Sequence, residues 1–272
     1  MIASILQPPY PLPGQATETL AWQSAALGRL DKQATDLIVL PEYCNCTGGR
    51  DFAETLHLLD NQGAEFVSEL RLHAERIQAT IMAGVLARDG DGALRNQLLV
   101  IVPGQPAILP YCKNHLVQPE LARGIVPGEC ADAFELQGVR YGAAICFDFY
   151  FPELFSHYAR QRVDVLVVVS HQRQEPGENL EFLSRARAFD CGCTLLRSAP
   201  AMPRPGTGGR SMVIAPDGRV LADAGDCPGV ISCSFDPKAR FIRAASYSEP
   251  DRIGDYRELI QNACRPELYR QP

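Results

Sequence analysis

Apolar positions along the chain fall into two kinds of stretch, short continuous runs and longer segments of helical period, separated by turn signals. Ile2–Gln7 predicts a strand, and a proline-rich loop follows from Pro8 to Pro13. Across Thr17–Leu30, apolar residues recur at Leu20, Ala21, Leu27 and Leu30, the spacing of one helix face. Asp36 to Pro41 is a continuous apolar run closed by proline, the pattern of a strand buried on both faces. Asp51 to Arg76 predicts a long helix with Gly63 as its candidate break. Thr80–Ala87 and Asn96–Val102 predict paired strands about the turn Asp89-Gly-Asp-Gly92. Ala107–Cys112 predicts a short strand, and Leu116 to Glu129 reads as loop.

The second half repeats the alternation. Phe134–Leu136 and Arg140–Cys146 predict a hairpin around Gln137-Gly138, and Pro152–Arg162 a helix with proline in its first turn. Val163–Ser170 and Cys193–Arg197 predict strands on either side of a helix over Asn179–Asp190. Arg210–Ala215 and Arg219–Ala222 predict a third hairpin about Pro216-Asp-Gly218, and Gly229–Phe235 a last core strand. From Asp236 onward the chain reads as an irregular polar tail. Strands alternating with helices, with hairpins interleaved and neither repeat nor linker, imply one α/β domain with mixed sheets over residues 1–272 (core about 1–236, tail about 237–272). Such folds place ligand sites at strand ends and in the loops beyond them.

Composition narrows the function classes. A formal net charge of −6, not gathered into blocks, argues against nucleic acid or an anionic membrane surface as partner. The basic pairs Arg185/Arg187 and Arg240/Arg243 read as solvated faces or local ion pairs. No apolar run is long enough to cross a bilayer, and the N-terminus lacks the basic start of a signal peptide. Ten cysteines without an export signal suggest reduced thiols and a cytoplasmic protein. Their C-x-C pairs, Cys44/Cys46 and Cys191/Cys193, lack metal-ligand spacing, so no metal is expected; on strands they would be small buried fillers. Asn45-Cys46-Thr47 matches a glycosylation sequon only formally, and Gly206-Thr-Gly-Gly209 lacks the lysine of a phosphate-binding loop.

Three apolar strands end on a reactive side chain: Leu37-Ile-Val-Leu-Pro-Glu42, Leu109-Pro-Tyr-Cys-Lys113 and Tyr141-Gly-Ala-Ala-Ile-Cys146. Cys146 lies just before a helix start at Pro152, where a helix N-terminus or a nearby cation would favour the thiolate, the nucleophilic form. Glu42, buried at a strand end, would have its carboxyl pKa raised and could exchange a proton with the thiol and a leaving amine. Lys113 can offer an ammonium to a developing oxyanion.

Together, and in this order, these pieces resemble the nitrilase (carbon–nitrogen hydrolase) superfamily. The resemblance runs from the first strand to about Phe235, through LIVLPE, YCKNHL, GAAICFDFYFPEL, SRARAFDCGCTLLRS and GRSMVIAPDGRVLADAG. It implies a four-layer αββα sandwich, no cofactor, a homo-oligomer, and a small-molecule amide as substrate. Glu42 would be base, Lys113 oxyanion stabiliser and Cys146 nucleophile. It also implies a second glutamate between lysine and cysteine, ahead of a Pro-Gly; Glu120 before Pro127-Gly128 is assigned there, whereas Glu129 lies beyond it. Substrate contacts are expected from Phe147, Tyr150 and His171. Two positions depart from the family: Tyr150 stands where an arginine is common, and Cys191 where an asparagine is common. Tyrosine cannot clamp a carboxylate as an arginine fork does, so a neutral group is expected at that end of the substrate unless another arginine, such as Arg173, takes the charge.

The resulting expectation is an amidase-type hydrolase working through a cysteine acyl-enzyme. A nitrile or N-carbamoyl substrate at the same Glu–Lys–Cys site is one alternative. A catalytically silent binding or scaffold protein on this fold is another. A Cys–His protease would need a histidine acting beside Cys146, with His115, His157 and His171 as the candidates.

Overall fold

The computed structural model describes residues 1–268. The first half of the chain forms β1 (Ile2–Gln7), α1 (Ala16–Gly28), β2 (Leu37–Leu40), α2 (Phe52–Asp60), α3 (Gln62–Ile77), β3 (Thr80–Arg88), β4 (Leu94–Ile101) and β5 (Ile108–Cys112). The second half forms a short α4 (Gln118–Ala122), β6 (Phe134–Leu136), β7 (Val139–Ile145), α5 (Pro152–Arg160), β8 (Val165–Val169), α6 (Gly177–Cys191), β9 (Thr194–Ser198), β10 (Met212–Ile214), β11 (Val220–Asp223) and β12 (Gly229–Ser234). The terminal segment adds β13 (Ile242–Ser246), β14 (Glu249–Asp255) and α7 (Tyr256–Ala263).

Two mixed six-stranded sheets result, ordered β12-β1-β2-β3-β4-β5 and β11-β10-β9-β8-β7-β6. Each has a parallel centre, β1-β2-β3 in one and β7-β8-β9 in the other, flanked by antiparallel strands. Side-chain alternation along these strands separates the layers. Ile5, Leu37, Val39, Met82 and Val100 of the first sheet pack against Ala143, Ile145, Val165, Val167 and Leu196 of the second. The intervening residues Leu6, Ile38, Leu40 and Ile81 instead meet Leu27, Phe66, Leu70 and Ile77 of α1 and α3. On the other side Leu166, Val168 and Leu195 meet Phe155, Tyr158 and Ala188 of α5 and α6. The central strands are apolar on both faces because both faces are covered, each such side chain contributing about 1.5–3 kcal/mol on burial. The architecture is the αββα sandwich expected from the motifs.

Two glycines set how closely the chain approaches the end of β2. A Cβ on Gly84 would lie 2.5 Å from the Glu42 Cα, so β3 runs against the Glu42 turn only because that position is bare. A Cβ on Gly63 would lie 2.3 Å from the Asn45 carbonyl oxygen. The helix expected to break at Gly63 breaks two residues earlier, at Asn61 (φ −122°, ψ −102°), and Gly63 serves close packing instead.

Three local expectations differ from the structure. The stretch read as loop after Leu116 contains α4. The tail read as irregular forms the β13–β14 hairpin and α7, with Phe241 and Tyr256 packed on Phe189 of α6 and Arg240 donating to Asp164 at 2.7 Å. The pattern hides this element because a few aromatics anchor it while most of its residues stay in water. Finally, the C-x-C cysteines are buried, but Cys44 and Cys46 sit in the turn after β2, Cys191 ends α6 and Cys193 precedes β9, so strand alternation is not what buries them.

Candidate active site

The expected reactive residues converge where β2, β5 and β7 end. Lys113 Nζ lies 2.9 Å from Glu42 Oε1 and 2.9 Å from Glu120 Oε1, and all three side chains are buried. Asn96 of β4 donates to both carboxylates, at 2.7 Å to Glu42 and 3.2 Å to Glu120. Glu120 also accepts from the Tyr43 hydroxyl at 2.6 Å and, through Oε2, from the Val117 N–H at 3.0 Å. The other oxygen of Glu42 has no protein donor and is buried. The Cys146 thiol, half-buried, faces that carboxylate and the backbone N–H of His171.

Cys146 opens a 3-10 turn, Cys146–Tyr150, at φ +51°, a left-handed conformation that a side-chain-bearing residue rarely adopts. Tyr43, beside Glu42, is left-handed too, at φ +54°. Two such corners turn the chain sharply off β7 and β2. Asp148, buried in the turn, holds the Cys146 corner to the β5 end: it accepts from Ile145 N–H at 3.0 Å, Tyr111 hydroxyl at 2.7 Å and His115 N–H at 2.9 Å.

One ammonium between two carboxylates cannot satisfy both equally. Burial raises the Glu42 pKa, with the Glu120 charge adding to it and Lys113 and Asn96 only partly opposing. Burial also works against ionisation of Glu120, but Lys113, Tyr43 and the Val117 N–H outweigh it, and its pKa falls below the ordinary carboxyl value. Burial pulls the Lys113 pKa down, yet Glu42, Cys146 and Glu120 overcome this and raise it. The site therefore holds a firm ammonium, a firm carboxylate and one carboxyl poised to exchange a proton, the separation that distinguishes acid–base groups from fixed charges. The thiol departs from expectation: burial and Glu42 push the Cys146 pKa up, against Lys113. A free-standing thiolate does not fit a sulfur that looks at a carboxylate.

A sequence profile of the carbon–nitrogen hydrolase family matches residues 2–243. The chain belongs to that family. Among curated relatives, the deaminated glutathione amidase of Synechocystis sp. is 30% identical over 244 residues, covering 81% of this chain and 87% of that protein. The 2-oxoglutaramate amidase of Bacillus subtilis is 28% identical over 231 residues, covering 82% and 86%. Among solved structures, an amidase of the nitrilase superfamily from Nesterenkonia superposes with TM-score 0.77 at 21% identity, covering 99% of this chain and 95% of that one, a likeness of fold.

In this carbon–nitrogen hydrolase the three residues expected to touch substrate are placed differently. Phe147 is half-buried and packs against Tyr150 and Phe151, with centroids 5.8 and 5.3 Å apart. Tyr150 is exposed, and its hydroxyl donates to Glu175 Oε2 at 2.6 Å. His171 follows β8, between the Tyr10 and Tyr43 rings (centroids 5.0 and 6.0 Å), and its buried Nε2 has no partner. Burial, with Arg173 and Lys113 nearby, pushes the His171 pKa down to about 3. An imidazole this weakly basic is a poor proton acceptor for a thiol, which argues against a Cys–His pair. His157 instead lies on α5, against Gln161.

The depressed value makes a test. Between its unfolded value near 6.5 and about 3, the folded protein binds fewer protons at His171, so this residue's contribution to stability falls as pH drops through that window. The His171 ring resonance in an NMR titration is expected to stay that of a neutral imidazole from pH 8 to pH 5. A midpoint near 6.5 would refute the assignment.

Sequence reasoning did not single out Asn96, Tyr43 or Asp148. Asn96 carried at most a faint signal, one of two adjacent amides, with Gln97, ahead of the apolar run Leu98–Ile101. No metal-ligating cluster of three or more His, Cys, Asp or Glu side chains occurs among the described residues. No helix among them is long and apolar enough to cross a membrane.

Proposed function

We propose that the protein hydrolyses the carbon–nitrogen bond of a small, non-peptide amide through a thioester on Cys146. The observation that carries this reading is the Lys113 ammonium held between Glu42 and Glu120 beside the Cys146 corner. Glu42 takes the thiol proton as the sulfur attacks the carbonyl carbon, so no resting thiolate is needed. Lys113 and a backbone N–H at Phe147 receive the oxyanion. The C–N bond breaks as Glu42 returns the proton to the leaving ammonia or amine. Glu42 then takes a proton from water, hydroxide adds to the thioester, and the acid departs as the sulfur is reprotonated. Glu120 holds Lys113 in place and, with its pKa lowered while that of Glu42 is raised, leaves Glu42 as the carboxyl that exchanges the proton. The relatives named as amidases support an amide over a nitrile or an N-carbamoyl group. Ten free thiols support a cytoplasmic setting.

Ammonia release across a panel of small amides, nitriles and N-carbamoyl compounds tests the reading. Activity is expected on amides, with kcat/KM rising with pH along a limb displaced above the ordinary carboxyl range, because Glu42 must be ionised to act. In Glu42→Gln that limb disappears and the rate falls by about 10²-fold or more, the usual scale for a lost general base. A folded Glu42→Gln protein with wild-type activity and pH profile would exclude Glu42 as the base.

A further inference from the structure

The second sheet carries a buried cation that the mechanism leaves unused. Leu195 of β9 packs toward α5 and α6, and Arg197, two residues on, takes the same register and is fully buried. It has no carboxylate partner among the described residues. A guanidinium in the interior without a counter-charge is costly unless hydrogen bonds hold it, and here they join two loops. Its Nη1 donates to the Gly209 and Arg210 carbonyls beyond β9, the latter at 2.8 Å. Its Nη2 donates to Gln172 Oε1, beyond β8, at 2.8 Å. Gly208, Gly209 and Arg210 are left-handed in succession, at φ +58°, +55° and +54°, and this turn presents the two carbonyls to the guanidinium. Burial pulls the Arg197 pKa down to about 10, with Cys146 and Tyr150 drawing it back up, so the side chain is cationic at neutral pH. Its bond to Gln172 is therefore charge-assisted, stronger than one between neutral groups.

Gln172 follows His171, whose backbone N–H faces the Cys146 sulfur. The His171 ring lines a cavity of about 350 Å³ beside the triad, together with Tyr10 and Tyr43. The loop beyond β9 supports the same neighbourhood, since the Tyr10 N–H donates to the Ala201 carbonyl at 2.8 Å. Gln172 Nε2 is buried and makes no hydrogen bond, so Arg197 supplies the bond that orients this side chain. We propose that Arg197 is a positioning residue for the nucleophile: anchored by the Gly209 and Arg210 carbonyls, it fixes Gln172 and so sets the His171 N–H against the Cys146 sulfur. The inference rests on the reading of Cys146 as nucleophile given above. When the thiol proton leaves, negative charge grows on the sulfur. A donor already in place stabilises that charge more than it stabilises the neutral thiol, which is what lowers a barrier.

The test compares wild type, Gln172→Ala, Arg197→Met and the double variant by amide turnover and by the rate at which iodoacetamide alkylates Cys146, read by peptide mapping. Each single substitution is expected to lower kcat about tenfold or more with KM within about twofold, the scale of a small misplacement at a reacting group. Alkylation of Cys146 is expected to slow about tenfold as well, because the thiolate loses its donor. The double variant is expected to lose no more than Arg197→Met alone, since both changes break one link. Gln172→Ala with wild-type kcat and alkylation rate would leave Arg197 as an anchor of the loops and overturn the proposal. A loss carried by KM, or a double variant showing the product of the two single losses, would overturn it too. Should Arg197→Met fail to fold, Gln172→Ala decides by the same two readings. Should wild type release ammonia from no amide, the amidase reading fails by itself, and alkylation decides the positioning role: slowed about tenfold in Gln172→Ala upholds it, and an unchanged rate overturns it.

Discussion

Cys146→Ala is expected to abolish turnover, with kcat falling by about 10⁴-fold or more, while the melting temperature stays near that of the wild type. In the proposed mechanism the sulfur forms and breaks the bond to the acyl group, and alanine offers no nucleophile in its place. Removing a nucleophile that acts in concert with its base costs most of the acceleration at once, because the remaining groups have nothing to activate. The fold should tolerate the change. Alanine and cysteine meet the same steric limit at φ +51°, and the half-buried thiol, which faces the His171 N–H and the charges of Glu42 and Lys113, anchors no other part of the fold. Ammonia release by the purified variant, alongside its thermal melt, makes the comparison. A well-folded Cys146→Ala protein with more than about a tenth of wild-type activity would remove Cys146 from the mechanism.

Lys113→Met is expected to damage both activity and stability, and to reverse the local pH dependence of the latter. Without the ammonium, the oxyanion loses a donor, for a loss of about 10²–10³-fold in kcat. Breaking one partner out of a buried ionic group costs about 3–5 kcal/mol near neutral pH, since Glu42 and Glu120 would face each other uncompensated. In the wild type, the lowered pKa of Glu120 contributes stability above the ordinary carboxyl value, which is lost as pH falls through the folded value. In the variant both carboxyl pKa values should rise. Stability from the raised groups is present at low pH and lost as pH climbs through their folded values. Urea unfolding at pH 5 and pH 8 is therefore expected to show the variant closest to wild type at pH 5. Lys113→Met/Glu120→Gln should recover part of the loss at pH 8 but none of the activity. A single variant within about 0.5 kcal/mol of wild type at pH 8 would mean that the charges are not coupled as described.

The uneven legibility of the site has a physical cause. Glu42 and Cys146 each follow an apolar run buried on both faces, and Lys113 follows the short edge strand β5, so their position at a strand end was readable from local pattern alone. Asn96 and Tyr43 were not, because their partners lie across the sheet: Asn96 reaches Glu42 and Glu120, and the Tyr43 hydroxyl meets Glu120. The thiol pKa misled sequence reasoning for a related reason. A helix start near Cys146 suggested a stabilised thiolate, but the carboxylate facing the sulfur comes from a strand in the other sheet and pushes the proton back.

The amino-acid sequence by itself determined an α/β domain whose central strands are covered on both faces, since runs apolar on every position demand that cover, and it determined which strand ends carry reactive side chains; the αββα layering was implied by the family resemblance. Local periodicity carries that information because it is set by each residue's own burial. The tertiary structure alone decided how the charges divide: that burial raises the Glu42 pKa while Lys113 and Tyr43 hold that of Glu120 down, and that His171 is a very weak base near an arginine and a lysine. It alone gathered Arg50, Arg123 and Arg173 from three separate loops around one cavity. A pKa and a cavity depend on distances between residues far apart in the chain, and those distances exist only once the two sheets have packed.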